Sequence, residues 1–130
     1  MTGIDTNILA RFFAQDDPDQ SRRAEEFLQS LTPDAPGFVS LVSLAELVWV
    51  LRSRYGMKRA HLIQCVNQML DSPEFVLEGQ TVVAQALVRY AHEKAEFADC
   101  LIERSGHLQG CRETVTFDVN ASRFSGMKLL

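Results

Sequence analysis

Gly3-Ile4-Asp5-Thr6-Asn7 joins three signals that decide the fold. Residues 1–5 read as a short buried strand. A carboxylate stands at its end. Thr6 or Asn7 then begins a helix that runs to about Ala14. The same grammar returns near the other end of the chain, where Thr114-Val115-Thr116-Phe117, the clearest β-branched run, is followed directly by Asp118. Lys128-Leu129-Leu130 is a candidate last strand.

Between these segments the chain alternates. Asp16-Asp17-Pro18 restarts a helix, with a capping carboxylate and a proline at the first helical position. That helix runs to about Leu31 with Ala24, Phe27, Leu28 and Leu31 on one face. Pro33 and Pro36 mark a loop, and Gly37-Phe38-Val39 a short strand. A helix follows from Leu41 to near Gly56, and another from Lys58 to Ser72, with Leu62, Val66, Met69 and Leu70 apolar. Phe75-Val76-Leu77 reads as a strand. Helices are expected over Gln80–Lys94, with Val83, Leu87, Val88 and Ala91 apolar, and from Ala95 to about His107. Short apolar strands alternating with helices imply a parallel sheet covered on both faces, so an α/β fold. Trp49, Phe27, Phe38 and Phe75 are expected in the core.

The chain has 130 residues, enough for one domain with a real core, 1–130. Its net charge of −4 does not mark it as a bulk nucleic-acid binder, so any such surface must be local. No apolar stretch reaches the roughly 18 residues of a membrane span, and no secretory signal opens the sequence. Cys65, Cys100 and Cys111 form no CxxC and read as small buried residues of a reduced, cytoplasmic protein. His61, His92 and His107 lack zinc-site spacing and read as surface or half-buried. There is no Gly-rich phosphate loop and no GxSxG.

Four carboxylates stand where a carboxylate is unexpected: Asp5, Glu46, Asp99 and Asp118. Glu46 is the only charge between Phe38 and Leu51, which predicts a buried side chain. Asp99 sits in Phe97-Ala98-Asp99-Cys100, though Glu96 and Glu103 at helical spacing also allow a solvated acidic face. Asp5 and Asp118 each follow a strand and can serve as helix caps or turn residues. In a parallel sheet the active crevice lies beyond the strand ends. Four acids gathered there repel one another unless a divalent cation is held, which predicts a metal-dependent hydrolase acting on phosphodiesters. Arg52, Arg54, Lys58 and Arg59 cluster around a helix end, where they either offset its dipole or contact phosphate.

Asp5-Thr6-Asn7, a lone helical Glu46, Phe97-Ala98-Asp99 and Thr116-Phe117-Asp118, in this order along the whole chain, resemble the PIN-domain nucleases. A stand-alone domain of this size is similar to the VapC-type toxins of bacterial type II toxin–antitoxin pairs. The resemblance implies a PIN-like three-layer sandwich with a parallel sheet of about five strands, and Mg²⁺- or Mn²⁺-dependent endoribonuclease activity on RNA. It also implies a VapB-like antitoxin that covers the site, and a homodimer. Carried over by position, Asp5 and Asp99 are the most direct metal ligands, Glu46 and Asp118 complete the shell, and Thr6, Asn7 and Thr116 orient the carboxylates. Asn120 departs from the pattern, standing where many relatives carry a further acid. Three other readings remain open. One is a PIN nuclease of RNA processing or decay without an antitoxin. Another is a binding module that does not cleave. The third is a Mg²⁺-dependent phosphatase of the haloacid dehalogenase type, which normally wants an aspartate two after Asp5, where Asn7 stands.

Overall fold

The computed structural model describes residues 1–130, which divide into two compact units, Met1–Glu78 and Gly79–Leu130. All expected strands and helices form, and every paired strand is parallel. The chain is thus α/β, with seven helices and short parallel strands. The strands are paired as a three-stranded sheet and a separate two-stranded ladder, not as one continuous five-stranded sheet.

In the first unit, strands β1 (Thr2–Gly3), β2 (Gly37–Val39) and β3 (Phe75–Leu77) lie in the order β1-β2-β3. Parallel neighbours need a crossover, and here each crossover is helical. Helices α1 (Thr6–Ala14) and α2 (Pro18–Gln29) link β1 to β2. Helices α3 (Leu41–Ser53) and α4 (Arg59–Asp71) link β2 to β3. The caps read from sequence are present: Asp17 Oδ1 accepts from Gln20 N at 2.9 Å with Pro18 beginning α2, and Gly56 follows α3 at φ 64°. Gly37 is required for packing, because a Cβ there would run into Ile4 Cδ1 and stand 2.9 Å from Leu31 Cδ1.

Three expectations about burial are corrected. β1 is an edge strand, so Thr2 and Gly3 are exposed and only Ile4 of that segment is buried. Trp49 is 61 % exposed, not core, while Phe27, Phe38 and Phe75 are half-buried. Glu46 is exposed, not buried. One cause explains Trp49 and Glu46. The buried stripe of α3 is Leu44, Leu47, Val48 and Leu51, at the spacings of one helical face. Glu46 falls on the opposite face, where Val42 and Trp49 are also exposed. Apolar residues on both faces of α3 hid its orientation.

In the second unit, α5 (Gln80–His92) packs against α6 (Phe97–Leu108). Val83, Ala86, Leu87 and Tyr90 are buried, and Tyr90 meets Phe97 edge to face at 5.5 Å. Val88 and Ala91 are exposed, contrary to the expected face, because residues 83, 86, 87 and 90 form the tighter helical stripe. Strands β4 (Val115–Thr116) and β5 (Lys128–Leu129) pair in parallel around α7 (Val119–Phe124), a short helix the sequence reading did not assign. Cys65 and Cys100 are buried, and burial pushes the Cys65 thiol up, but Cys111 is exposed, against expectation. All three histidines are exposed. No helix is long and apolar enough to cross a membrane.

Candidate functional site

Asp5 follows β1 and is the N-cap of α1, its Oδ1 accepting from Thr6 N at 2.8 Å. The capping role and the metal reading are compatible, because a carboxylate has a second oxygen and lone pairs left for a cation. The next residue, Thr6, is buried, and its hydroxyl donates to Glu46 Oε1 at 2.5 Å. This bond crosses from α1 to α3, helices that pack directly on each other. It fixes an otherwise exposed glutamate beside Asp5. Asp5, Thr6, Asn7 and Glu46 all line one cleft of about 230 Å³. The first three site residues and Glu46, 40 positions away, are therefore brought together in the first unit.

The second unit carries Asp99 and Asp118. Asp99 lies in the first turn of α6 and is half-buried. Burial raises its pKa above the usual aspartate value, and the charges of Asp118 and Glu96 push it further the same way. A helix N-terminus favours a carboxylate's charged form, so desolvation and like charge outweigh the helix here. Asp118 caps α7, its Oδ1 accepting from Ala121 N at 3.0 Å. Thr116 Oγ1 accepts from Asp118 N at 3.0 Å and so sets the backbone that presents the carboxylate. Asn7 and Asn120 are exposed.

The solvated acidic face weighed for Asp99 does not extend to Glu103, although Glu96 is exposed. Glu103, one turn further along α6, is buried, and Arg104 Nε and Nη2 donate to it at 2.5 and 2.7 Å. The Arg104 bond, followed by the charges of Arg104 and Arg89, holds Glu103 below the usual carboxylate range against the opposing cost of burial. Glu103 is a structural acid with two cations. Asp99 is an acid raised first by burial and then by two other acids.

The donors in both units are carboxylate, hydroxyl and amide oxygens. Such hard donors suit Mg²⁺ or Mn²⁺ and do not favour a thiophilic metal. The raised Asp99 fits a cation as well, because a nearby positive charge favours the charged form that burial and the neighbouring acids disfavour. No group of three or more His, Cys, Asp or Glu side chains is already drawn together as a metal cluster. The donor chemistry of each unit therefore fits a divalent cation.

The cleft also has residues absent from the expected site. Arg11, Arg54 and Tyr55 line it beside Asp5 and Glu46. Asp16 accepts from Arg11 Nη1 at 2.6 Å and from the Tyr55 hydroxyl at 2.7 Å. These bonds, Tyr55's first, hold Asp16 below the usual carboxylate range. A signal for Arg11 was present, since it lies four residues after Asn7 and so on the same helical face. Nothing local in sequence pairs Tyr55 with Asp16, 39 residues earlier.

Searches of curated proteins and of solved structures returned no match. The PIN domain family matches residues 4–127, a span that includes all four carboxylates and runs through both units. The chain therefore belongs to the PIN-domain family, whose members are generally nucleases that use divalent metals.

Proposed function

We propose that this protein is a Mg²⁺- or Mn²⁺-dependent endoribonuclease and the toxin of a type II toxin–antitoxin pair. The observation that carries the reading is the Thr6–Glu46 hydrogen bond at Asp5, which spends a buried hydroxyl on orienting an exposed carboxylate. An exposed glutamate needs no such partner for stability. Orientation of this kind is what metal ligands require.

In this reading Asp5 and Asp99 hold the cation, and Glu46 and Asp118 complete its shell directly or through water. Thr6 aims Glu46, and Thr116 sets the turn that presents Asp118. A bound divalent cation would supply an activated water and offset charge developing on the phosphodiester. Capping keeps Asp5 and Asp118 at fixed backbone positions while leaving oxygens to bind.

The toxin assignment draws on motif order. It is also supported by a groove of about 340 Å³ in the first unit, lined by Phe12, Phe13, Leu28, Leu31, Met69 and Phe75 among others. A VapB-like antitoxin would lay an apolar helix there and pass an Arg or Lys to the acidic site, where a guanidinium pairs bidentately with carboxylate and displaces metal. Phe27 lines a different groove of the same unit with Asn7 and Arg11. Exposed Val42 and Trp49 support a homodimer through helix surfaces.

The test is cleavage of RNA by the purified protein with and without Mg²⁺ or Mn²⁺. Asp5→Asn and Asp99→Asn are each expected to cut the rate more than ~100-fold, since even residues that only support metal ligands cost 10–100-fold. Full activity in either variant, or undiminished cleavage in chelator, would refute the site. Co-expression with the product of any adjacent short gene, read as restored growth, separates a toxin from an RNA-processing nuclease.

A further inference from the structure

The cleft that holds Asp5 and Glu46 has a basic end that the acids do not explain. Arg11 Nε donates to Gln20 Oε1 at 2.7 Å, and Nη1 donates to Asp16 Oδ2 at 2.6 Å. Those bonds leave Nη2, so the guanidinium is fixed in place with donors to spare. Arg54, at the C-terminal end of α3, is exposed and has no ion-pair partner. Neither arginine pairs with Asp5 or Glu46, although all four line the same cleft. Arginines present only to neutralise those acids would be bonded to them. Instead Arg11 is anchored to an acid outside the cleft, and Glu46 takes a neutral hydroxyl. The cleft keeps its carboxylates available for a cation and its guanidinium groups available for an anion.

A nucleic-acid strand is the ligand that presents anions in a row, and arginine is suited to phosphate through its forked donors. The cleft's volume of about 230 Å³ is smaller than the ~300–1,000 Å³ of sites for drug-sized ligands, so it suits a phosphate group and not a whole nucleotide. We infer that Arg11 and Arg54 bind a backbone phosphate of single-stranded RNA next to the one that is cut, with Tyr55 and Asp16 as positioning residues for Arg11. This rests on the ribonuclease reading above and adds a substrate contact to it.

Binding of a fluorescein-labelled single-stranded RNA oligonucleotide, measured by anisotropy in EDTA so that nothing is cleaved, tests the inference across a salt series. Arg54→Ala is expected to weaken binding about five-fold and to flatten the slope of log K against log salt by about 0.7, the value of one single-strand phosphate contact. Arg54→Lys keeps the charge and is expected to keep the slope. Tyr55→Phe removes the hydroxyl that donates to Asp16 at 2.7 Å and accepts from Arg11 Nη1 at 3.4 Å but no charge, and is expected to weaken binding about two-fold with the slope unchanged. An Arg54→Ala protein with wild-type affinity and slope overturns the inference. So does one that keeps its RNA binding but loses binding to a poly-glutamate peptide, which would assign this end of the cleft to an acidic protein. In both cases a wild-type protein that still cleaves RNA leaves the ribonuclease reading standing. A wild type that neither binds nor cleaves RNA defeats that reading and this inference together.

Discussion

The two halves of the carboxylate set live in opposite electrostatic company. Asp5 and Glu46 share their cleft with Arg11 and Arg54, and Glu46 is aimed by a buried hydroxyl. Asp99 is half-buried, and its charged neighbours Asp118 and Glu96 both raise its pKa. Asp99 bears a cost for its charge, set first by burial and then by these acids. In the proposed reading a cation would relieve that cost at Asp99, while the arginines beside Asp5 and Glu46 would offer charge to a substrate. The contrast also separates function from structure on a single helix, α6. Glu103 is more deeply buried than Asp99, yet its pKa moves down because arginines supply what Asp99 lacks.

The largest stability effect should fall on the acid with the best partners. Glu103→Gln is expected to cost about 2 kcal/mol, because it leaves Arg104 with a weaker neutral acceptor in a buried place. Glu46→Gln, on the exposed face of α3, should change stability by less than ~0.5 kcal/mol. Urea melts of the two variants compare them directly, and equal costs would erase the distinction. The Glu103 contribution follows a depressed pKa. It is fully present above the ordinary glutamate value and is lost as pH falls through the folded-state value.

A smaller change, confined to activity, is expected for Thr6→Val. The isostere fills the same buried space but no longer donates to Glu46 Oε1. Metal affinity or cleavage should fall about 10-fold, as for other partners that orient ligands. Titration of Mn²⁺ with wild-type and variant protein measures it, and wild-type affinity together with wild-type cleavage would show that the hydroxyl does not aim the carboxylate.

The smallest expected effect has the opposite sign. Asp99→Asn should raise the thermal midpoint of the metal-free protein slightly at neutral pH, although it is expected to cut cleavage. A raised native pKa means that the native state binds more protons than the unfolded one, so stability falls as pH rises through that range. The gap between variant and wild type should close as pH drops through the carboxylate range and Asp99 becomes neutral. A variant that is less stable than wild type at neutral pH would mean that the helix N-terminus, not burial and the neighbouring acids, dominates at this position.

Local signals carried much of the fold. The caps Asp5 and Asp17, Pro18 at the start of α2, Gly56 after α3 and the β-branched run before Asp118 act within a few residues. They place strands and helices without reference to distant partners. The helix α7 escaped notice because six residues hold too little periodicity to read, although its cap was visible in Asp118. Asp5, Glu46, Asp99 and Asp118 stood out because carboxylates are rare in apolar surroundings, and that rarity survives without any structure.

Which face each acid occupies was decided by tertiary packing. Glu46 looked buried because α3 is apolar all round, and only the choice of Leu44, Leu47, Val48 and Leu51 as the packed stripe turned it outward. Contacts between residues far apart in sequence were equally out of reach: Thr6 with Glu46, Tyr55 with Asp16, and Glu103 with Arg89 each depend on helices meeting. Composition and periodicity act along the chain, so they determined the element order and the acidic motif. Burial, orientation and charge pairing act across it, so they were settled only when the elements packed.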